Sequence, residues 1–288
     1  MKNLPTPSHT RDGRRSLRQD PEEGTLQFGV CGDAGVAAVA ARASYDFAEG
    51  SVGSLLMPRE SEAAFCAGLE AVRAADLRYP VANCFVPGDL KITGSDACDS
   101  ALQAYVSTTM RRAERANLQV IVFGSGQARR VPEGFDARAA HDQLVAFCCM
   151  VAPIARDHGV TVVIEPLNRA ECNVLTAVSE CAALVNEVAH PAIRLLVDAY
   201  HLMREGDSYA SIVTHGKLLS HVHIATAQNR LAPGAEPCDF SQFFAALRKA
   251  GYSGRISIEG NIPDPETALP DALILMRKLA EIGVEPSI

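Results

Sequence analysis

Residues 161–165 read TVVIE, and the same figure returns as RLLVD at 194–198, SHVHI at 220–224 and RISIE at 255–259. Runs such as TVVI and RLLV are apolar throughout. A strand of a parallel sheet buried on both faces should look like this, whereas a half-solvated strand would alternate. Each run is followed by a segment of helical character, over Val178–Val188, near Tyr209–His215, over Phe240–Ala250 and over Ala268–Ile282. Strands alternating with helices argue for parallel βαβ units.

The same alternation extends toward the N-terminus. It predicts strands at Leu26–Cys31, Ser44–Ala48, Tyr79–Phe85, Gln119–Phe123 and Val160–Ile164, then Ile193–Val197, Leu219–Ile224 and Arg255–Ile258. Helices are expected in the first half near Val36–Arg42 and over Glu60–Ala75, Ser100–Ala116 and Ala137–His158. Eight such units without a linker predict one α/β domain over residues 25–288, a closed (β/α)8 barrel of the TIM type. The runner-up is an open doubly wound sheet, but no GxGxxG opens an early helix. Residues 1–24 are rich in Pro, Arg, Ser and Asp and lack apolar periodicity. They are expected to form a flexible extension or an oligomer arm, compatible with a homodimer or homotetramer.

Bulk composition narrows the function. Acidic residues outnumber basic ones, 34 to 27, for a net charge of −7, so the basic footprint of a nucleic-acid binder is missing and no nucleic-acid partner is expected. The apolar run LVAFCCMVAPIA is too short to span a bilayer, and no membrane partner is expected. The nine cysteines are odd in number, lack a CxxC and in part sit in apolar runs, which fits a reduced, cytoplasmic setting.

Glu165, Asp198, His223 and Glu259 stand at or just beyond the ends of four successive strands, separated by 33, 25 and 36 residues, each a fitting length for one βα unit. In a barrel those ends converge on one mouth, where catalytic residues gather. A carboxylate beside a buried apolar run is costly unless compensated, and one cation compensates all three. For any one position the plainer reading is a helix cap or a core histidine; the recurrence over four strands favours a metal site. Three oxygens and one nitrogen select Mn²⁺ first, with Mg²⁺ and Co²⁺ also compatible.

The runs IEPLNRAE, VDAYH, HVH, NRLAPG and ISIEG resemble the metal-dependent sugar isomerase/epimerase superfamily, and within it the ketose 3-epimerases. The resemblance implies that Glu165, Asp198, His223 and Glu259 bind the metal, that Glu165 and Glu259 are also the catalytic acid/base pair, and that Glu171, His201 and Arg230 contact a small sugar-like substrate. Two segments depart from the pattern. IATAQN, between His223 and Arg230, lacks the family's glycine and acidic residue and is one residue longer, and NCFVPGDLKITG after the third strand also differs.

The chemistry expected of such a site is isomerase chemistry. A divalent ion chelating a carbonyl oxygen and a neighbouring hydroxyl stabilises the enediolate left when the adjacent carbon loses its proton. Removal by Glu165 on one face and return by Glu259 on the other epimerises that carbon, and transfer between adjacent carbons isomerises the sugar. The alternatives are a lyase, dehydratase or decarboxylase, using the same enediolate, an apurinic endonuclease-like phosphodiesterase, and a silent binding protein. His201 is expected in a loop beyond strand six. His221, on the same strand face as His223, reads equally as a support or a core residue. Arg129 and Arg130 read as a solvated pair on a mobile loop, with anion binding as the other reading.

Overall fold

The computed structural model describes residues 25–282; the expected extension over 1–24 lies outside them. Eight parallel strands close into a barrel in chain order, β1 Gln27–Cys31, β2 Phe47–Ser51, β3 Val81–Asn83, β4 Val120–Phe123, β5 Thr161–Ile164, β6 Ile193–Asp198, β7 Leu219–Ile224 and β8 Arg255–Ile258. The pairing of β1 with β8, Gln27 opposite Arg255, shuts it. Between the strands run α1 Ala34–Arg42, α2 Val52–Leu55, α3 Glu62–Ala74, α4 Asp99–Arg115, α5 Gly126–Arg129, α6 Ala137–Asp157, α7 Val178–Val188, α8 Ala199–Glu205, α9 Tyr209–His215, α10 Ser241–Lys249 and α11 Pro265–Glu281. None of these helices is long and apolar enough to cross a membrane.

The longest runs of aliphatic residues became strands with little error in their bounds. Two depart: β3 is three residues long where Tyr79–Phe85 was expected, and β2 begins and ends three residues later than expected. Ser44 takes φ +69°, and the amides of Ser44 and Tyr45 turn back onto the carbonyls of Ala41 and Ala40, so this segment closes α1 instead of opening a strand. Three short helices, α2, α5 and α8, follow strands where loops were expected; at this length hydrophobic periodicity has no signal to give.

Strand alternation carries the fold into the site. Phe47, Val81, Val120, Val122, Val163 and Leu196 pack together as one buried cluster filling the barrel. Side chains two residues further along each strand share that inward face. They are Glu49, Asn83, Glu165 and Asp198 in register with the cluster, and on β7 and beyond β8 the same spacing relates His221 to His223 and Ser257 to Glu259. Above an apolar plug the barrel therefore ends in a polar layer.

Candidate metal centre

Pairing on the last strands sets Asp198 opposite His223 and His223 opposite Ser257. Glu165 and Glu259 directly follow β5 and β8. One potential ligand atom from each of Glu165, Asp198, His223 and Glu259 lies within 4.8 Å of the others. His223 Nδ1 is 3.1 Å from Glu165 Oε1 and 3.4 Å from Glu259 Oε2. Asp198 Oδ1 accepts from the Tyr200 amide at 2.8 Å, capping α8, while its Oδ2 is buried without a hydrogen-bond partner. Arg230 Nη2 at 3.9 Å and His201 Nε2 at 3.6 Å stand beyond hydrogen-bond reach of Oδ2, and a buried carboxylate oxygen without a hydrogen bond is costly unless a cation meets it closely.

The electrostatics agree. Burial, then the neighbouring Glu165 and Glu259 carboxylates, push the Asp198 carboxyl well above the usual range, and burial with Glu259 also raises Glu165. Burial works against the charge of Glu259 as well, yet His223 and Arg230 hold it below its ordinary value. Burial likewise opposes a charged His223, but the surrounding carboxylates, Glu49 first, raise its imidazole well above the ordinary histidine value. Three crowded carboxylates thus draw in protons and a guanidinium, and they offer a divalent cation oxygen-rich ligands plus one nitrogen. Room for them is made at Gly124, where a methyl would stand 2.3 Å from Glu165 Oε2.

The expected substrate-contacting residues surround this point. His201 is not in a loop but on the first turn of α8, 1% exposed. Burial pushes its imidazole down to about 3, so it is neutral at pH 7. Its Nδ1 accepts from the Asn168 amide at 3.0 Å, which leaves the proton on Nε2; that nitrogen has no hydrogen-bond partner and lies 3.6 Å from Asp198 Oδ2. Arg230 reaches the site despite the longer segment before it. The Thr226 hydroxyl accepts from the Leu231 amide, the Arg230 amide donates to Thr226 O, and Arg230 takes φ +54°. Its guanidinium donates to Glu259 Oε2 at 2.6 Å and stacks 4.7 Å over the Tyr200 ring. Glu171 Oε1 is 3.4 Å from Arg230 Nη1 and accepts from Asn168 Nδ2 at 2.8 Å.

Three side chains at this layer escaped the sequence reading as site residues. Glu49, 0% exposed, accepts from His221 Nε2 at 2.9 Å, His223 Nε2 at 3.0 Å and the Ser257 hydroxyl at 2.7 Å. Burial opposes its charge, but the two imidazoles hold its carboxyl far below the ordinary range. Asn83 donates to Glu259 Oε1 at 3.1 Å. Arg129, read as solvated, is 0% exposed: it donates to the carbonyls of Phe123 at 3.0 Å, Glu165 at 2.7 Å and Leu175 at 3.3 Å. It therefore grips the backbone of a candidate ligand. Arg130 donates to the Glu171 carbonyl at 2.8 Å. An acidic residue inside YDFAEGS was the available signal for Glu49; the misplaced start of β2 hid it.

The family described as "Xylose isomerase-like TIM barrel" matches residues 37–279. Over 139 residues the chain is 34% identical to an L-ribulose 3-epimerase of Methylomonas sp. (strain DH-1), covering 47% of this chain and 48% of that protein. It is 34% identical over 110 residues to a D-psicose 3-epimerase of Agrobacterium fabrum, 38% of each. It is 32% identical over 127 residues to a 3-dehydro-D-guloside 4-epimerase of Escherichia coli K12, 43% of this chain and 48% of that one. The matched stretches thus span about half or less of these relatives. A solved D-psicose 3-epimerase in the presence of D-fructose superposes with TM-score 0.77 over 88% of this chain and 99% of that chain at 19% identity, a likeness of fold.

Proposed function

The chain belongs to the xylose isomerase-like TIM barrel family, and on that footing we propose that it is a divalent-metal-dependent epimerase of a ketose or closely similar sugar. Glu165, Asp198, His223 and Glu259 hold the cation, Mn²⁺ first by the hardness of the donor set and Mg²⁺ or Co²⁺ next. The observation that carries this reading is the pair of carboxylates, Glu165 and Glu259, converging on His223 Nδ1 at 3.1 and 3.4 Å beside a buried Asp198 oxygen that has no hydrogen-bond partner. The names of the relatives, all sugar epimerases, supply the substrate class.

Bound by these four residues, a divalent cation would supply Lewis acidity beside the sugar carbonyl, which would acidify the adjacent carbon–hydrogen bond. Glu165 removes that proton and Glu259 returns one from the opposite face, so the carbon inverts. Glu165, whose carboxyl burial holds above its usual range, suits the role of a base strong enough to act at neutral pH. Arg230 keeps Glu259 charged and aimed through the 2.6 Å bond. His201 presents its unpartnered Nε2–H to a sugar oxygen, and Glu171 holds the far side of Arg230. A phosphodiester-cleaving reading lacks its requirements: the net charge is negative, and the four-residue ligand set contains one histidine.

The test is incubation with L-ribulose, D-fructose and D-psicose in D₂O with Mn²⁺, followed by proton NMR. We expect deuterium at the carbon next to the carbonyl together with the epimer. Exchange accompanied by loss of water or carbon dioxide would move the protein to the lyases, and metal binding without exchange on any ketose would overturn the proposal.

A further inference from the structure

We infer that Glu49 is a positioning residue that dictates which nitrogen of His223 is offered to the cation. The inference rests on the metal-site reading above but goes beyond it, because Glu49 offers no atom to the four-residue site. Its two oxygens accept from three donors: Oε1 from His223 Nε2 at 3.0 Å, Oε2 from His221 Nε2 at 2.9 Å and from the Ser257 hydroxyl at 2.7 Å. All four side chains are 0% exposed, so no water competes for these bonds. A carboxylate only accepts, so the hydrogen of His223 that faces it must sit on Nε2. The carboxylates of Glu165 and Glu259 likewise face Nδ1, at 3.1 and 3.4 Å, but a cation that takes those two carboxylates would displace the proton there, and the lone pair of the neutral ring is then on Nδ1 while Glu49 keeps the hydrogen on Nε2. One ring therefore has two faces with different duties, a donor face on Glu49 and a ligand face among the carboxylates. A carboxylate behind a ligating imidazole also raises its basicity and fixes the plane of its ring.

His221 and Ser257 complete the device. They occupy the second oxygen of Glu49, so the carboxylate has no rotational freedom with which to release His223. His221 packs edge-on against His223, centroids 5.0 Å apart and planes at 85°, which holds the ligating ring from its side.

The experiment uses the full chain and the cation alone. Glu49→Gln keeps the shape but turns an amide NH₂ toward one of two ring N–H groups, so His223 gains by moving its hydrogen to Nδ1. We expect Mn²⁺ affinity, read from the electron paramagnetic resonance of free Mn²⁺, to fall by about 10–100-fold, with Ser257→Ala showing a smaller loss. The second readout is the ¹⁵N spectrum of the histidines of the unaltered protein loaded with diamagnetic Zn²⁺. It should show His223 protonated at Nε2 and bare at Nδ1. In Glu49→Gln that pattern should weaken or reverse, a change that mere loss of packing would not produce. Unchanged affinity in a folded Glu49→Gln, or a cation found on Nε2 of the unaltered protein, overturns the inference. The ¹⁵N measurement holds even if Glu49→Gln does not fold. Absence of Mn²⁺ binding by the unaltered protein would instead overturn the metal-site reading itself.

Discussion

Strands β5–β8 end in the four side chains that converge on one point, whereas β2, β3 and α5 contribute side chains that hold three of those four residues from behind. Glu49 on β2 holds His223, Asn83 on β3 holds Glu259, and Arg129 after β4 holds the carbonyl of Glu165. The second half of the barrel supplies the four converging side chains, with Arg230 set against Glu259, and the first half supplies further groups that aim them. The contrast matters because a ligand and its support fail differently. Removing a ligand should relieve crowding and abolish binding, whereas removing a support should leave the ligands present but loosened or misaimed.

The largest effect is expected at Asp198. Asp198→Asn keeps an oxygen for the α8 cap but removes the charge from the unpartnered position. Mn²⁺ retention through desalting should fall to near zero, read by elemental analysis. The metal-free variant should melt at the same temperature as the metal-free parent or above it, since a like-charge cluster has been relaxed. A variant that retains a full equivalent of Mn²⁺ would break the division between the halves.

Next come Glu165→Gln and Glu259→Gln, which keep one oxygen for the cation and remove a base. Turnover should fall about 10²–10⁴-fold while metal is retained. If the two carboxylates serve opposite faces, one variant should still wash deuterium from D₂O into the ketose without forming the epimer. Near-normal turnover in either, with the metal bound, would reduce that residue to a ligand.

On the supporting side, Arg129→Met removes a buried guanidinium that satisfies three carbonyls. We expect a loss of about 3 kcal/mol in urea unfolding, since the carbonyls are left bare. An effect under about 0.5 kcal/mol, the size typical of surface sites, would return Arg129 to the solvated role that its sequence context suggested.

That misreading shows where the sequence was legible. A strand flanked by helices is written in contiguous apolar residues, so β7 and β8 were bounded as expected, and a ligand at a strand end is visible as a charge closing such a run. A support is not visible in this way. Glu49 sits two residues beyond Phe47 on the inward face, but a strand placed three residues early leaves it in a loop. Arg129 looks like any arginine after two glycines until the carbonyls of Phe123, Glu165 and Leu175 are brought around it from segments up to 46 residues away. His201 lies beside Asp198, but α8 gave no periodic signal over seven residues, so its burial could not be foreseen.

The smallest effect, and the one that reads both halves together, is the pH dependence of the cation's stabilisation. In the metal-free protein Asp198 and His223 have carboxyl and imidazole values raised above those of the unfolded chain. A raised value means the folded state binds the proton more tightly, so the stability it lends is complete at low pH and is lost as pH rises toward the raised value. Glu259 and Glu49 are shifted the other way, and their contribution is lost only as pH falls below the ordinary carboxylate range. Between about pH 5 and pH 6.5 the depressed imidazoles of His201 and His221 act against the first pair, because they take protons only in the unfolded chain; from about pH 6.5 to pH 8 the first pair governs, and the metal-free protein should lose stability over that upper range. A cation must displace the protons of the first pair, so its affinity should rise from about pH 5 to pH 8 by up to about tenfold per unit for each proton released. The check is thermal melting at fixed excess Mn²⁺ and in chelator, at several pH values. The gap between the two melting temperatures should widen from pH 5 to pH 8. In Asp198→Asn it should be small at every pH, and in Glu49→Gln it should be reduced but should still widen, because Asp198 keeps its proton there. A gap that narrows as pH rises would mean that the cation does not compete with protons at this cluster.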